Sequence, residues 1–508
     1  MILKKIDDLL NRVTMYRLAV YELVFLLVVA GILGQFGVMP YSPINIAFSA
    51  VFIFVVCWIT NTIFSYFFEV PSNPESTWIT ALILALIITP IHNWPDMQFL
   101  PLAFWASALA IASKYILAVR GKHVFNPAAV GVAITALVLG LSASWWVGTP
   151  SMVPFVLVGG LLLVRKIHRF DLFWAFIGMF TLGMIYFAFD QSLDLVRSLE
   201  QSLLYAPAFF FATVMLTEPA TTPPTRRWRM LYGALVGFLF LPNVSVGSFY
   251  FTPELALLAG NVFAYFTSPK YKLQLKLKDT RRLSPDVYEF AFTTNRPVHF
   301  EPGQYLEWTL AHAHPDSRSV RRYFTLASSP REREMKLGVK IYEPKSSFKK
   351  ALLSMQRGDL LVAAQLAGDF TLPRDKNKKL VFIAGGIGIT PFRSMLQHLL
   401  DVRQKRDITL FYSNKTPADA VYRDVFDRAR QELGIKTVYA FTAKNMPLPP
   451  GSIRAIDAAA IAHEVPDYRD RTFYISGPQA MVTAFRSILL EMGVGRAYIK
   501  TDYFPGFA

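Results

Sequence analysis

The chain has 508 residues and a formal net charge of +16, and 53% of its residues are hydrophobic. This length exceeds one ordinary core and predicts at least two domains. A single cysteine, Cys57, excludes disulfides within the chain and iron–sulfur clusters held by several thiolates. The positive charge does not indicate nucleic-acid binding, because many cations of the first half lie in short loops, as at the cytoplasmic face of a membrane protein.

The first half predicts a membrane domain over 18–268, preceded by a cytoplasmic segment, 1–17. Apolar runs of about 20 residues, the length that spans a bilayer, recur along it. They lie near 18–38, 44–68, 98–118, 128–147, 171–189, 202–216, 229–246 and 250–266. Two shorter runs, 77–90 and 151–164, are either thin spans or re-entrant pieces. Together they predict about ten transmembrane segments in the lipid bilayer.

The charges of the loops predict the orientation of these segments. Basic residues such as Lys114, Arg165 and Arg226 cluster in alternate loops, whereas acidic residues such as Asp96 and Asp190 occupy the others. By the positive-inside rule, both termini lie in the cytoplasm. We therefore expect a multi-pass protein of the cell membrane whose second half faces the cytoplasmic nucleotide pool. The first apolar run is too long for a cleavable signal peptide.

Two polar interruptions stand out in the apolar half, Phe125–Ala129 and Thr217–Thr225. Prolines often begin helices behind an Asn or Thr cap, so either segment alone is ordinary. Small polar residues beside proline also form binding sites in broken membrane helices. Splitting the spans into five plus five pairs the His92–Pro95 loop with the Glu218 loop, and Asn126–Pro127 with Pro242–Asn243. This pattern predicts an inverted repeat.

Residues 18–266 resemble the family of membrane proteins that comprises the B component of the sodium-translocating NADH:quinone reductase and the D component of the Rnf complex. The resemblance is carried by Phe125–Ala129, the Glu218–Thr225 loop and the number of spans. It implies an FMN carried through a phosphoester bond on the Thr that closes an Asp-Pro-x-Ser-x-x-x-Thr motif, here Thr225. This chain has Glu for Asp and Thr for Ser in that motif, so covalent attachment and a tightly held, unlinked flavin both remain open.

The side of the membrane on which this flavin lies also remains open. In the family the attachment belongs to the exported face, whereas the loop charges place Thr225 near the cytoplasm. A re-entrant short segment would reconcile the two. Haem is not expected in this half, because bis-His haem needs two histidines on facing helices and His92, His123 and His168 lie near loop ends. No metal site is predicted.

The second half predicts two soluble domains. Alternating apolar residues from Leu273 onward indicate an antiparallel β-barrel over 269–375. Strands and helices then alternate over 376–508, which is typical of an α/β nucleotide-binding fold. The first of these strands, 379–384, runs into Gly385, Gly386 and Gly388, with Thr390 as helix cap and Pro391 at the first helical position. Such a turn lets a pyrophosphate approach the backbone and the helix N-terminus.

Residues 272–508 resemble the ferredoxin–NADP reductase family. The motifs Phe300–Tyr305, Arg321–Pro330, the glycine turn and Tyr474–Met481 carry the resemblance by following one another in the family's order. In the barrel it implies an FAD whose phosphate is held by Arg322, Ser346 and Ser347, with Lys345 at the place of a usual glycine. Tyr323, Phe324 and Thr325 complete the flavin motif; Phe324 covers the ring and Thr325 lies near its N5.

The same resemblance implies where NAD(P)H binds. Gly477, Pro478 and Met481 form the second turn, which flanks the nicotinamide, with Ser476 in place of the usual Cys. Phe507, or less readily Phe504, is a candidate lid on the flavin, so Thr325, Ser476 and Phe507 are the residues expected at the reacting atoms. Lys415, in Ser413–Lys415, favours NADPH only weakly, because a solvated loop lysine explains it equally well. The choice between NADH and NADPH stays open.

The combined expectation is a membrane flavoenzyme. Cytoplasmic NAD(P)H reduces FAD, and electrons pass to a flavin near Thr225 and to an onward acceptor, a quinone or an extracytoplasmic redox partner. One alternative is an NAD(P)H:quinone reductase without a membrane flavin. Another, from a different class, is an ion or solute transporter whose soluble half senses a nucleotide.

Overall fold

The computed structural model describes residues 6–7, 9–10, 13–68, 74–119, 122–247, 249–268, 272–316, 319–443 and 446–504. The chain divides into two compact units, Met1–Tyr271 and Lys272–Ala508.

The first unit consists of helices with two short β-hairpins. The helices are α1 Met15–Gln35, α2 Pro43–Phe67, α3 Pro74–Ile87, α4 Phe99–Ile116, α5 Pro127–Leu139, α6 Val153–Ile167, α7 Phe170–Asp190, α8 Leu195–Leu204, α9 Ala208–Phe210 with a following π-turn Phe211–Met215, α10 Arg226–Leu239 and α11 Pro253–Thr267. The hairpins pair β1 Ala118–Val119 with β2 Lys122–His123, and β3 Ser245–Val246 with β4 Phe249–Tyr250.

Four of the described helices, α1, α2, α4 and α7, are long and apolar enough to cross a membrane. Of the ten predicted spans, these four meet that criterion of length and composition, and several of the other apolar runs are broken. The run 128–147 ends at Gly140, which adopts a left-handed conformation (φ 70°) that stops a helix. The run 202–216 is split at Pro207, whose ring cannot continue a helix. The run 229–246 ends at Leu239 and continues as a hairpin.

The order of elements repeats within the first unit. Helices α1 to α4, a hairpin and α5 are followed by α6, α7, α9, α10, a hairpin and α11. The packing repeats as well: α2 contacts α4 as α7 contacts α10, while α1 meets α6 and α5 meets α11. The counterpart of Asn126–Pro127 is therefore Thr252–Pro253 and not the predicted Pro242–Asn243, because each pair follows a hairpin and begins a helix.

The short helix α3 ends inside the protein, and the segment after α5 satisfies its last carbonyl groups. The Trp145 and Val147 N–H groups donate to Ile87 O (2.8 Å) and Leu86 O (3.3 Å). The Trp146 indole N–H donates to Ala85 O at 3.0 Å. Buried carbonyls without partners would cost free energy, so these bonds explain why a half-length helix is stable there.

The second unit begins with the predicted antiparallel barrel sheet. Its strands are β5 Leu273–Arg282, β6 Val287–Thr294, β7 Tyr305–Thr309, β8 Arg321–Thr325, β9 Met335–Lys340 and β10 Leu360–Ala367, in the order β8-β7-β10-β5-β6-β9. Leu273, Leu275 and Leu277 are buried, as their alternation predicted. Helix α12, Ser347–Ser354, lies between β9 and β10 in the chain.

The nucleotide-binding part has a parallel sheet with helices on both faces. Its strands are β11 Leu380–Gly385, β12 Ile408–Asn414, β13 Lys436–Phe441, β14 Thr472–Pro478 and β15 Ile499–Phe504, in the order β13-β12-β11-β14-β15. Its helices are α13 Thr390–Asp401, α14 Arg423–Leu433, α15 Ala458–Glu464 and α16 Gln479–Glu491. Leu380 and Phe382 face α13 and α14, whereas Val381 and Ile383 face α15 and α16. Burial on both faces explains the apolar sequence of β11.

Candidate functional site

The two glycine turns lie side by side where β11 and its neighbour β14 end. A Cβ on Gly388 would lie 2.4 Å from Ser476 O and 2.6 Å from Gly477 Cα. A Cβ on Gly385 would lie 2.3 Å from Met481 Sδ. Only glycine at position 388 allows so close an approach to backbone atoms, and the structure brings together five of the residues predicted to bind NAD(P)H. The crevice at the carboxyl ends of adjacent parallel strands is where such sheets bind nucleotides.

The glycine turn leads into α13 through a 3₁₀ turn, Gly386–Ile389, in which Gly386 has φ 52°. Helix α13 begins at Thr390, so Thr390 is not the predicted cap. Its hydroxyl instead donates to Ile387 O at 3.2 Å, and Pro391 follows as the second helical residue. No side chain of the described residues caps α13. The helix N-terminus is therefore suited to a pyrophosphate, which the macrodipole and backbone N–H groups favour.

Ser476 and Asp502 lie opposite each other on the parallel strands β14 and β15. Paired residues of adjacent strands point to the same face of the sheet. The Ser476 Oγ is buried and has no hydrogen-bond partner among the described residues. Removal from water raises the pKa of Asp502 to about 6. Sequence reasoning missed Asp502 because it did not predict β15; the signal was an acid within the apolar C-terminal tail.

In the barrel, alternation along β8 separates the residues of the flavin motif. Arg322 and Phe324 share a buried face, and the Phe324 ring lies 5.9 Å from that of Phe348. Tyr323 points the opposite way, and its hydroxyl donates to Glu307 Oε2 at 2.6 Å. Tyr323 is thus on the other face of β8 from Arg322 and Phe324, and its contact with a cofactor stays a prediction. Thr325 is buried at the end of the strand.

Arg322 and the N-terminus of α12 converge on one anionic group. The guanidinium Nη2 of Arg322 donates to Asp316 Oδ1 at 3.2 Å, and the N–H of Ser347 donates to Asp316 Oδ2 at 3.1 Å. Ser346 is the helix cap and accepts from the Lys349 N–H at 3.3 Å. The Asp316 carboxylate occupies the position of an anion, which shows that these donors suit an anionic group. A flavin phosphate meets the same requirement.

The remaining predictions for the soluble half are placed as follows. Lys415 is exposed, in a segment whose backbone pairs with the loop after β13: Asn414 O and Lys415 O accept from the Thr442 and Ala443 N–H groups, each at 3.0 Å. Nothing there distinguishes NADPH from NADH. Phe507 lies outside the described residues.

In the first unit, the two polar interruptions contact each other. Asn126 caps α5, its Nδ2 donates to Glu218 Oε2 at 3.0 Å, and its backbone N–H donates to Asn261 Oδ1 at 2.8 Å. Glu218 Oε2 also accepts from Thr221 Oγ1 at 3.1 Å. His123 Nε2 lies 3.5 Å from Glu218 Oε1. Segments distant in the sequence thus form one polar cluster, which we call the Glu218 cluster.

Thr225 stands at the cap position of α10. Within the described residues its hydroxyl makes no hydrogen bond to the helix. The first turn carries the exposed Arg226 and Arg227, while Arg229 is buried and donates to Asp171 Oδ2 at 2.8 Å and Pro224 O at 2.9 Å. Arg229 already has an anionic partner in Asp171, whereas Arg226 and Arg227 add positive charge at the positive end of the helix dipole, where an anion is favoured. The site fits a phosphate group on Thr225. In the described ranges, no group of three or more His, Cys, Asp or Glu side chains is placed to hold a metal ion.

Two protein-family models match the second unit. An oxidoreductase FAD-binding domain matches residues 274–371, which contain the barrel. An oxidoreductase NAD-binding domain matches residues 382–487, which contain both glycine turns.

Curated proteins similar to this chain align with the same region. A flavohemoprotein of Pseudomonas putida is 28% identical over 219 residues, covering 43% of this chain and 54% of that protein. The F component of the Na⁺-translocating NADH-quinone reductase of Methylococcus capsulatus is 29% identical over 215 residues, covering 38% and 51%. The chain spans about half the length of the curated relatives it matches.

Among solved structures, a cytochrome P450 reductase of Amycolatopsis matches with a TM-score of 0.42 and 22% identity, covering 47% of this chain and 71% of that one. The flavohem-like FAD/NAD-binding domain of a Vibrio cholerae nitric oxide dioxygenase matches with a TM-score of 0.41 and 19% identity, covering 46% and 98%. The family matches and the site geometry coincide on the second unit. Residues 274–487 therefore form an FAD- and NAD-binding domain of the ferredoxin–NADP reductase-like type.

Proposed function

We propose that the protein is a membrane-bound, NAD(P)H-dependent flavoprotein oxidoreductase. Electrons enter from NAD(P)H at the second unit, pass through FAD, and continue to an FMN-like flavin near Thr225 and an onward acceptor. The observation that carries the proposal is the meeting of Gly388 with Ser476 and Gly477. This close approach forms a crevice suited to a nucleotide. The barrel of the same unit also presents hydrogen-bond donors suited to a flavin phosphate.

The residues of the second unit divide the work between binding and orientation. The Gly385–Gly388 turn and the N-terminus of α13 receive the pyrophosphate of NAD(P)H. Arg322, Ser346 and Ser347 receive the flavin phosphate. Phe324, Thr325 and the hydroxyl of Ser476 would lie beside the reacting rings. When bound, FAD supplies the chemistry, since it accepts two electrons together and releases them singly.

The membrane location is supported by the surface of the first unit. Each of its four long apolar helices presents a large apolar side chain to the outside, for example Val28, Trp58, Trp105 and Trp174. Such surface is unfavourable in water and favourable in lipid. The repeated order and packing of elements support a first unit built from two similar halves.

In a second candidate function, electrons still enter from NAD(P)H through FAD, but they leave directly to a quinone. The name of the Methylococcus capsulatus relative includes quinone reduction, so a quinone is a candidate direct acceptor here as well. In that case the protein is an NAD(P)H:quinone reductase without a flavin at Thr225.

Absorbance of the purified, detergent-solubilised full chain tests the proposal. We expect a flavin spectrum that bleaches on anaerobic addition of NAD(P)H. Replacing Arg322 with Ala should weaken FAD binding roughly 10- to 100-fold, because hydrogen bonds to charged groups contribute about 1.5–3 kcal/mol. Arg428→Ala, on the exposed face of α14, is the matched control and should bind FAD normally. Protein that holds no flavin, or flavin that NAD(P)H does not bleach, would refute the proposal.

A further inference from the structure

The segment between β7 and β8 inserts a carboxylate among the donors of the flavin-phosphate site. Asp316 accepts from the Ser347 N–H through Oδ2 and from Arg322 Nη2 through Oδ1. The bond is reciprocated, since the Asp316 N–H donates to Ser347 Oγ at 2.9 Å. Asp316 therefore engages both the backbone and the side chain at the first residue of α12.

The hydroxyl of Ser347 donates one hydrogen bond and accepts another in this arrangement. His312 Nδ1 lies 2.8 Å from Leu310 O, so Nδ1 carries the ring proton and Nε2 is the acceptor. Nε2 lies 3.0 Å from Ser347 Oγ and accepts a hydrogen bond from that hydroxyl, while Oγ accepts a hydrogen bond from the Asp316 N–H. Release of Asp316 thus frees a backbone donor, a hydroxyl and a guanidinium N–H together.

Exposure of the two charged partners is unequal. The Arg322 side chain is 7% exposed and that of Asp316 is 27% exposed. A buried guanidinium needs an anionic partner, whereas a partly exposed carboxylate can return to water at smaller cost. The arginine therefore stays in place, and the anion that faces it is exchangeable.

We propose that Asp316 and the flavin phosphate compete for the same donors, so that FAD loads by displacing Asp316. This inference rests on the proposed function, because it assumes that Arg322 and Ser347 hold FAD. A carboxylate and a phosphate oxygen are both charge-assisted acceptors, and one N–H cannot serve both at full strength. Asp316 then lowers the affinity for FAD and leaves the affinity for riboflavin, which carries no phosphate, unchanged.

Asp316→Asn tests the competition, because it keeps the shape of the side chain and removes its charge. The apparent Kd is the intrinsic Kd divided by the fraction of protein that is competent to bind. If Asp316 holds the donors in about 90% of flavin-free molecules, the variant should bind FAD about tenfold more tightly. Titration of flavin-free full-length protein, followed by quenching of flavin fluorescence, measures this.

Two controls separate competition from a general effect on the barrel. Riboflavin lacks the phosphate, so its Kd should be the same in the variant and the wild type. Asp286→Asn removes an equal charge from the same unit, where Asp286 pairs with Lys340 at 2.9 Å, and should leave FAD affinity unchanged.

The outcomes distinguish this inference from the function beneath it. Unchanged or weaker FAD binding in Asp316→Asn, or equal tightening for riboflavin, overturns the competition. Normal FAD binding in Arg322→Ala overturns the proposed site itself. Should Asp316→Asn not fold, hydrogen exchange on the wild type decides: adding FAD should speed exchange of the Asp316 amide, because its bond to Ser347 Oγ breaks. Unchanged or slower exchange contradicts displacement.

Discussion

Under the proposed function, individual residues beside the glycine turns govern how hydride leaves NAD(P)H. Asp502 lies beside Ser476 on the neighbouring strand, and its pKa is raised to about 6. Above that pH the carboxylate is ionised, and beside a bound nicotinamide it would stabilise the positive charge that hydride departure leaves on the ring. We expect the rate of flavin reduction to rise with pH through a midpoint near 6, measured by stopped-flow absorbance.

Asp502→Asn should remove this pH dependence and slow flavin reduction by roughly tenfold, a loss of about 1.4 kcal/mol. The pH dependence of stability gives an independent check of the direction in which the pKa of Asp502 is shifted. A raised pKa means that the folded state binds the proton more tightly, so this stabilisation is full below the usual pKa near 4 and is lost as pH rises through about 6. The variant should therefore unfold at a higher temperature than wild type at pH 7, with the difference vanishing near pH 4. An inflection that persists in the variant contradicts this role.

At the scale of elements, α13 fastens the nucleotide-binding part to the barrel. Arg393 donates to Ala327 O at 2.9 Å and to both carboxylate oxygens of Glu332, and the Ser394 hydroxyl donates to Ser328 O at 2.6 Å. The hydrogen bonds and charge of Arg393 hold the pKa of Glu332 below its usual range against desolvation. These contacts begin two residues after Thr325 and five after Gly388. They thus fix the two binding motifs relative to each other.

Arg393→Met should break this connection. Removing one partner of a buried ion pair costs about 3–5 kcal/mol, and Glu332 is partly exposed, so we expect the lower part of that range. Thermal unfolding measures the loss. Hydride transfer should slow more than the Kd for NAD(P)H rises, because the distance between the rings depends on the connection. Arg428→Met, which breaks an exposed pair with Glu432 on α14, should cost only about 0.3–0.5 kcal/mol. Equal effects of the two variants would contradict the assignment.

At the scale of the whole molecule, the path of electrons depends on whether the first unit holds a flavin. Thr225 occupies a helix cap that its hydroxyl does not use within the described residues, and arginines follow it. We expect mass analysis of the peptide that contains Thr225 to show an increment equal to FMN. Thr225→Ala should abolish that increment and leave NAD(P)H-dependent bleaching of FAD intact. An unmodified peptide together with a second extractable flavin indicates unlinked binding. A single flavin per chain favours direct reduction of a quinone.

Local sequence determined much of the second unit. The apolar run of β11 and the glycine turn after it specify a buried strand and a helix start, because both signals act within a few residues. The alternation from Leu273 to Leu277 specified a half-buried antiparallel strand for the same reason. The polar interruptions around Asn126 and Glu218 were also visible in the sequence.

Tertiary structure decided what those signals left open. Apolar runs of similar composition became full-length helices, half-length helices or hairpins. Gly140 and Pro207 ended two of these runs locally, whereas the half-length α3 depends on Trp145 and Val147, which bond its last carbonyl groups across the fold. Residues distant in sequence met only on folding: Asn126 with Glu218, Ser476 with Asp502, and Asp316 with Arg322. Sequence alone determined most strands and the glycine turns of the second unit, since hydrophobic period and turn chemistry are local. Which polar groups face each other was decided by the fold, since those pairings join segments that no local pattern relates.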